Sequence, residues 1–131
     1  MIHLAKIAGR YFDHAEIIEL HHDRKLDAPS GTANSTARDM VKARGKPFLP
    51  PAAGEHTESR GQVVEGINIH SVRLPGLMAH QEVLFGGAGQ TLSIRHDTIN
   101  RECYMPGVLL AVKEMAHRRG FIYGLDTLLG L

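Results

Sequence analysis

The amino-acid sequence predicts an α+β fold: a mixed β-sheet of about four strands flanked by helices. Three observations predict it. Apolar residues recur at helical spacing near both ends of the chain and after residue 30, three consecutive segments in its second half alternate between apolar and polar residues, and a glycine-rich turn joins two of those segments. The chain has 131 residues, 43% hydrophobic and 22% charged, which is enough for one packed domain.

The first two elements are a helix and a strand. Residues 1–12 carry an apolar stripe at i, i+3, i+4 and i+7, formed by Leu4, Ile7, Ala8 and Tyr11. No N-cap residue precedes this stripe, so we expect the natural helix to begin earlier in a longer protein. Residues 16–21 contain two adjacent β-branched residues, which favour a strand.

A polar loop at residues 23–29 ends in a proline, and a helix follows it. Ser30 is the predicted N-cap, and Gly45 is the predicted residue just past the end. One face of this helix is expected to carry Thr32, Ala33, Ala37, Met40 and Val41.

Residues 46–62 contain three prolines and two glycines and predict a long surface loop. Strands are predicted over residues 66–74, 78–85 and 90–96. The Gly86-Gly87-Ala88-Gly89 segment makes the last two a hairpin. Pro106 opens a helix that Gly120 closes, and the apolar residues 121–131 are expected to pack against something rather than form a free tail.

Composition limits the function classes. The net charge of +1 gives no electrostatic case for nucleic acid or for an anionic membrane surface. The lone Cys103 excludes an internal disulfide and a four-cysteine zinc site, and fits a reducing compartment. No apolar run reaches the roughly 20 residues of a membrane helix, and no secretory signal is visible. We therefore expect a cytoplasmic protein without a nucleic-acid or membrane partner.

Residues 19–33 carry the candidate chemistry. Gly31 and Thr32 open a helix, where free backbone N–H groups and the helix dipole attract anions. Gly31 lets a ligand approach the backbone, Thr32 adds a hydroxyl, and Lys25 adds a positive charge. This combination suits a carboxylate or a phosphate.

Two adjacent histidines precede that loop. His21 and His22 point to opposite sides of an extended chain, and an imidazole titrates near neutral pH, as a proton donor requires. Lys25 would tune that acidity. A purely structural role also fits: Ser-Gly-Thr is commonly only a helix cap, and a histidine pair or a loop lysine is commonly a surface feature.

Three stretches resemble one family. These are E-I-I-E-L-H-H-D-R-K-L-D-A-P-S-G-T-A at 16–33, H-S-V-R-L-P-G-L-M-A-H-Q-E-V-L-F-G at 70–86, and G-Q-T-L-S-I-R-H-D-T-I-N-R-E-C-Y-M-P-G-V at 89–108. They are similar to the dihydrodipicolinate reductases, and the likeness covers nearly the whole chain. The resemblance implies reduction of a cyclic unsaturated dicarboxylate with NADPH or NADH, in the diaminopimelate route to lysine. It also implies a homotetramer built through the sheet.

The resemblance further implies roles for individual residues. His21 would be the general acid and Lys25 its catalytic partner. His22, Gly31 and Thr32 would hold the substrate carboxylates together with Lys25. Arg101 matches an arginine of the family near the active site. No residue is assigned to cofactor or metal binding.

The family's nucleotide-binding domain has no counterpart in the sequence. The glycines at 86–89 lie in a hairpin turn, whereas a pyrophosphate loop joins a strand to a helix. We therefore expect residues 1–13 to be the remnant of a helix leading from that domain, and residues 14–105 to form the substrate-binding and tetramerisation domain. Residues 106–131 would pack back on the nucleotide-binding domain. The chain alone should lack reductase activity.

Two other functions stay open. One is a stand-alone dicarboxylate-binding or oligomerisation module without catalysis. The other is a metal-dependent hydrolase, although no H-x-x-x-H or H-E-x-x-H spacing occurs. Its candidate ligands would be His21, His22, His70, His80 and His96.

Overall fold

A computed structural model describes residues 1–51, 57–122 and 124–131. The chain divides into two units, Met1–Asp97 and Thr98–Leu131, each of which is described by itself. The main element is a five-stranded sheet of order β2-β3-β1-β4-β5. Its strands are β1 His14–His21, β2 Gln62–Val64, β3 Ile67–Arg73, β4 Ala79–Gly87 and β5 Gln90–Thr98.

Strand β1 lies at the centre of the sheet. It runs parallel to β3 and antiparallel to β4, so the sheet is mixed, as predicted. In the register, His21 at the end of β1 stands between Arg73 and Ala79. The end of the central strand is therefore adjacent to a cation from β3.

One face of the sheet packs under two helices, α1 (Ile2–Ala8) and α2 (Gly31–Arg44). The other face carries polar side chains and stays partly exposed. The core between helices and sheet consists mainly of Ala5, Ala15, Ile17, Ala33, Ala37, Met40, Phe48, Ile67, Ile69, Val83 and Phe85. The alternation predicted for residues 78–85 is confirmed, because Gln81, Val83 and Phe85 on one face of β4 are buried. Strand β1 alternates in the same way.

Helix α2 has the predicted caps. The Ser30 hydroxyl accepts a hydrogen bond from the Ala33 N–H at 3.2 Å, and Gly45 adopts the left-handed conformation with φ 79°. Of the residues predicted to share one face, Ala33, Ala37 and Met40 are buried. Thr32 is exposed in the first turn, and Thr36, one turn later, is buried.

Several boundaries differ from prediction. Helix α1 is shorter, β1 begins two residues earlier, and the short strand β2 begins at Gln62 inside the predicted loop. The hairpin turn is only the Ala88-Gly89 pair, because pairing extends through Gly87. Part of the predicted loop, residues 52–56, lies outside the described residues.

The second unit contains a 3₁₀ turn at Arg101–Tyr104, helix α3 (Met105–Met115) and helix α4 (Leu125–Leu129). Helix α3 ends before Gly120, the predicted stop. Leu125 lies 3.0 Å from the point where a Cβ on Gly107 would stand, so α4 packs on α3. Among the described residues, the helices are too short or too polar to cross a membrane.

Candidate active site

Strand β1 places a carboxylate on the buried face of the sheet. Glu19 follows Ala15 and Ile17 at two-residue spacing, and its exposed fraction is 0%. A buried charge is costly unless it is paired and hydrogen-bonded. The partners of Glu19 therefore define the local structure.

Arg73 is the main partner. Its Nη2 donates to Glu19 Oε1 at 2.8 Å and its Nη1 donates to Oε2 at 3.0 Å, a two-pronged pairing. The backbone N–H of Ser30 also donates to Oε1, at 3.2 Å. Burial by itself would raise the pKa of Glu19, but hydrogen bonds from Arg73, Ser71 and His21 outweigh it and lower the pKa. Glu19 is therefore ionised near neutral pH.

His21 is held by the same carboxylate. Its Nδ1 lies 2.5 Å from Glu19 Oε2. An ionised carboxylate can only accept, so Nδ1 must be the donor. Nε2 is then the ring nitrogen left for another group, and the side chain is 14% exposed.

The loop after β1 is fastened by Arg73. The Arg73 Nε donates to the Lys25 carbonyl at 3.3 Å, and Nη2 donates to the Asp27 carbonyl at 2.5 Å. The Lys25 ammonium binds both oxygens of Asp27, at 2.7 and 2.9 Å. Hydrogen bonding by Lys25 and the positive charge of its ammonium lower the pKa of Asp27. Lys25 is thus paired within its own loop.

The start of α2 presents unpaired backbone donors. Gly31 and Thr32 are exposed, and within residues 1–51, 57–122 and 124–131 no hydrogen bond uses their N–H groups. Gly31 does not have a positive φ, and a Cβ there would meet nothing within 4 Å. Neither conformation nor packing in this chain requires a glycine at position 31. What the glycine provides is a bare backbone.

His22 has a different environment from His21. Its side chain is half-buried, and its Nδ1 is buried with no hydrogen-bond partner in the part of the chain described. Such a nitrogen is costly unless a ligand or water satisfies it. This is consistent with the predicted substrate contact.

Arg101 belongs to the second unit, where it is exposed at the start of the 3₁₀ turn. Its assignment to the site stays a prediction. The histidines named for a hydrolase form no metal-binding group: among the described residues, no three or more His, Cys, Asp or Glu side chains are placed to hold an ion.

Glu19 and Arg73 were not among the residues assigned from the sequence. A signal existed for Glu19, because it falls on the same strand face as Ala15 and Ile17. A carboxylate at a core-facing position two residues before a histidine predicts a buried acid–histidine pair. Nothing local indicated Arg73, which lies 54 residues away along the chain.

The fold and this geometry define a class of protein: an α+β domain with a carboxylate-held histidine next to an open helix N-terminus. The family model described as dihydrodipicolinate reductase, C-terminus, matches residues 1–129. The chain belongs to this family, as the resemblance predicted.

Similar proteins agree with that assignment. The chain is 62% identical to a 4-hydroxy-tetrahydrodipicolinate reductase of Dehalococcoides mccartyi over 131 residues, covering all of this chain and 50% of the relative. It is 54% identical to the enzyme of Moorella thermoacetica, covering 98% of this chain and 49% of the relative. The chain thus spans about half the length of these curated relatives.

A solved structure has the same fold. The dipicolinate-bound dihydrodipicolinate reductase from Paenisporosarcina sp. TG-14 matches with a TM-score of 0.84 and 46% identity. The match covers 96% of this chain and 48% of that one. The α+β architecture predicted from the sequence is confirmed.

Proposed function

We propose that this chain is the substrate-binding and proton-donating part of a 4-hydroxy-tetrahydrodipicolinate reductase. The reaction would reduce a cyclic, unsaturated dicarboxylate with NADPH or NADH in the diaminopimelate route to lysine. Family membership and the match to one half of the relatives support this proposal. Under it, residues 1–13 and 106–131 would join and cover the other half, and residues 14–105 would hold the substrate.

The observation that carries the proposal is the bare start of α2. Gly31 and Thr32 are exposed, and among the described residues their N–H groups have no hydrogen-bond partner. Ser30 beside them is bonded to the same carboxylate that holds His21. A carboxylate bound at that helix end would gain charge-assisted hydrogen bonds. The Paenisporosarcina relative is described as dipicolinate-bound, which supports a dicarboxylate as the ligand.

Each residue would then have a distinct task. Gly31, Thr32 and His22 would hold the substrate carboxylates, with Lys25 exchanging Asp27 for a carboxylate oxygen. His21 would donate a proton from Nε2 to a substrate carbon. Arg101 would add a cation near the site. Binding would fix the carbon close to the donor, which is the main way a small site accelerates proton transfer.

The cofactor would bind mainly to the other half of the enzyme. Gly86 to Gly89 lie in a β-hairpin, and no described glycine-rich segment joins a strand to a helix N-terminus in the manner of a pyrophosphate loop. When bound by the remaining half of the enzyme, the nicotinamide would supply the hydride. We therefore expect no reductase activity from residues 1–131 alone.

Assembly and location complete the proposal. The open face of the sheet carries Ile18, Leu20, Val72 and Leu84 among charged side chains. Such a half-apolar, uncovered face would serve as the interface of a homotetramer. A cytoplasmic location follows from the biosynthetic role.

Two measurements test the function. Calorimetry should detect binding of pyridine-2,6-dicarboxylate to the chain. Gly31→Ala should weaken that binding at least about tenfold, by blocking close approach, without lowering stability. Fusion to the N-terminal half of the D. mccartyi reductase should give reductase activity. Binding without activity would favour a dicarboxylate-binding module, and no binding by a folded chain would contradict both functions.

A further inference from the structure

We propose that the buried pair of Glu19 and Arg73 is the positioning device of the site: it fixes the His21 ring with Nδ1 bonded inward and Nε2 free for the substrate. The assignment of His21 as proton donor rests on the function proposed above. The positioning itself rests on contacts within the chain.

Each oxygen of Glu19 accepts one hydrogen bond from Arg73 and one from a second residue. Oε2 accepts from His21 Nδ1 and from Arg73 Nη1, at 2.5 and 3.0 Å. Oε1 accepts from Arg73 Nη2 and from the Ser30 N–H, at 2.8 and 3.2 Å. One carboxylate thereby ties the imidazole to the residue that caps α2. The distance between the proton donor and the carboxylate-binding helix end is set by this bridge.

Arg73 extends the bridge to the loop. The same guanidinium that holds Glu19 donates to the carbonyls of Lys25 and Asp27. The loop that carries Lys25 is therefore fastened to the end of β3, and β3 is in register with β1 there. Three parts of the site, namely the imidazole, the loop and the helix start, share one buried ion pair.

The chemical consequence concerns the tautomer of His21. A carboxylate at Nδ1 keeps the ring in a single orientation and stabilises the imidazolium when Nε2 carries a proton. Without the carboxylate, the neutral ring could carry its one proton on either nitrogen. Only a fraction of the molecules would then have the proton on Nδ1 and leave Nε2 free for the substrate. A role in stability alone would not require this, because apolar residues can replace a buried ion pair with little loss.

The chain contains a matched control on the same strand. Glu16 also binds a histidine and an arginine, His70 and Arg60, on the opposite face of the sheet. Glu16→Gln removes the same charge from a similar trio at a distance from His21. A general effect of losing a strand carboxylate should then appear in both variants.

Side-chain ¹⁵N spectra of the histidines test the proposal, recorded on the 131-residue chain at about pH 9, where free imidazole is neutral. In the wild-type chain we expect His21 to carry its proton on Nδ1. In Glu19→Gln we expect both tautomers, because an amide can donate as well as accept. Glu16→Gln should change only His70. The proposal is overturned by a wild-type His21 protonated on Nε2, or by a tautomer unchanged in Glu19→Gln.

The wild-type spectrum decides the first point even if Glu19→Gln does not fold. A titration with pyridine-2,6-dicarboxylate in the same samples separates this proposal from the function above. If the dicarboxylate binds but His21 carries its proton on Nε2, the positioning role is overturned and the proposed function is not. Absence of binding with the expected tautomer contradicts the proposed function and leaves the role of the pair in orienting His21 supported.

Discussion

Strand β1 carries two carboxylates that bind the same kinds of partner in different surroundings. Glu16 accepts from His70 Nε2 at 2.8 Å and from Arg60 Nη2 at 2.9 Å. Its side chain is 36% exposed, whereas that of Glu19 is 0% exposed. The three-residue spacing directs the two side chains to opposite faces of the sheet.

The difference shows that burial, more than the identity of the partners, decides what such a trio does. Water can replace any partner of Glu16, so that trio tolerates change. Bulk water does not reach the buried Glu19 side chain, so each of its hydrogen bonds holds a neighbouring residue in place. A single strand thus carries a surface cluster and a positioning cluster made from the same residue types.

Removal of the arginines should give the largest contrast. Arg73→Met leaves the Glu19 carboxylate buried without its cation, and we expect a loss of about 3–5 kcal/mol in the free energy of unfolding. Arg60→Met should cost at most about 1 kcal/mol, because Glu16 is partly solvated. Urea unfolding of both variants measures this difference, and equal losses would break the distinction.

Removal of the loop cation should affect binding more than stability. Lys25→Ala deletes a charge-assisted hydrogen bond to the ligand, which corresponds to about ten- to hundredfold weaker dicarboxylate binding. Arg60→Ala removes a cation from the Glu16 trio and should leave the affinity unchanged. Calorimetric titration of both variants is the measurement. A similar loss in Arg60→Ala would indicate a general electrostatic effect.

Acid should reveal the contribution of the ionised Glu19 to stability. Hydrogen bonding lowers the pKa of Glu19 below its ordinary value of 4.5. Its contribution to stability is therefore present above pH 4.5 and is lost as the pH falls through the lowered value. In Glu19→Gln, the unfolding free energy should depend less on pH in this range. Urea midpoints of the wild-type chain and of Glu19→Gln, measured from neutral pH downward, test this. A parallel loss of stability in the two proteins would contradict it.

The smallest effect concerns the partner of Lys25 in the free chain. Asp27→Asn frees the ammonium, so binding of a dicarboxylate no longer has to displace an ion pair. We expect binding to tighten by up to about fivefold, as for a surface salt bridge. Calorimetry detects this change, and weaker binding would mean that Asp27 itself orients the ligand.

Local signals predicted much of the fold. The two-residue alternation identified β3, β4 and β5, the adjacent β-branched residues identified β1, and Ser30 with Gly45 bounded α2, because strand faces and helix caps depend on neighbouring residues. Strand β2 was missed because its three residues, which begin at the last residue of the predicted loop, are too few for a pattern. Apart from Arg101, the site residues came from one continuous segment, but the Glu19–Arg73 pair joins residues 54 positions apart through strand pairing.

A backbone amide titration with pyridine-2,6-dicarboxylate tests the central claim most directly, because it locates the ligand on the chain. We expect the largest changes in the ¹H–¹⁵N signals of Gly31 and Thr32, together with changes in those of His21 and Lys25. The signals of Glu16 and His70 on the other face should stay in place. Saturable shifts confined to that open face, with the start of α2 unmoved, would contradict it.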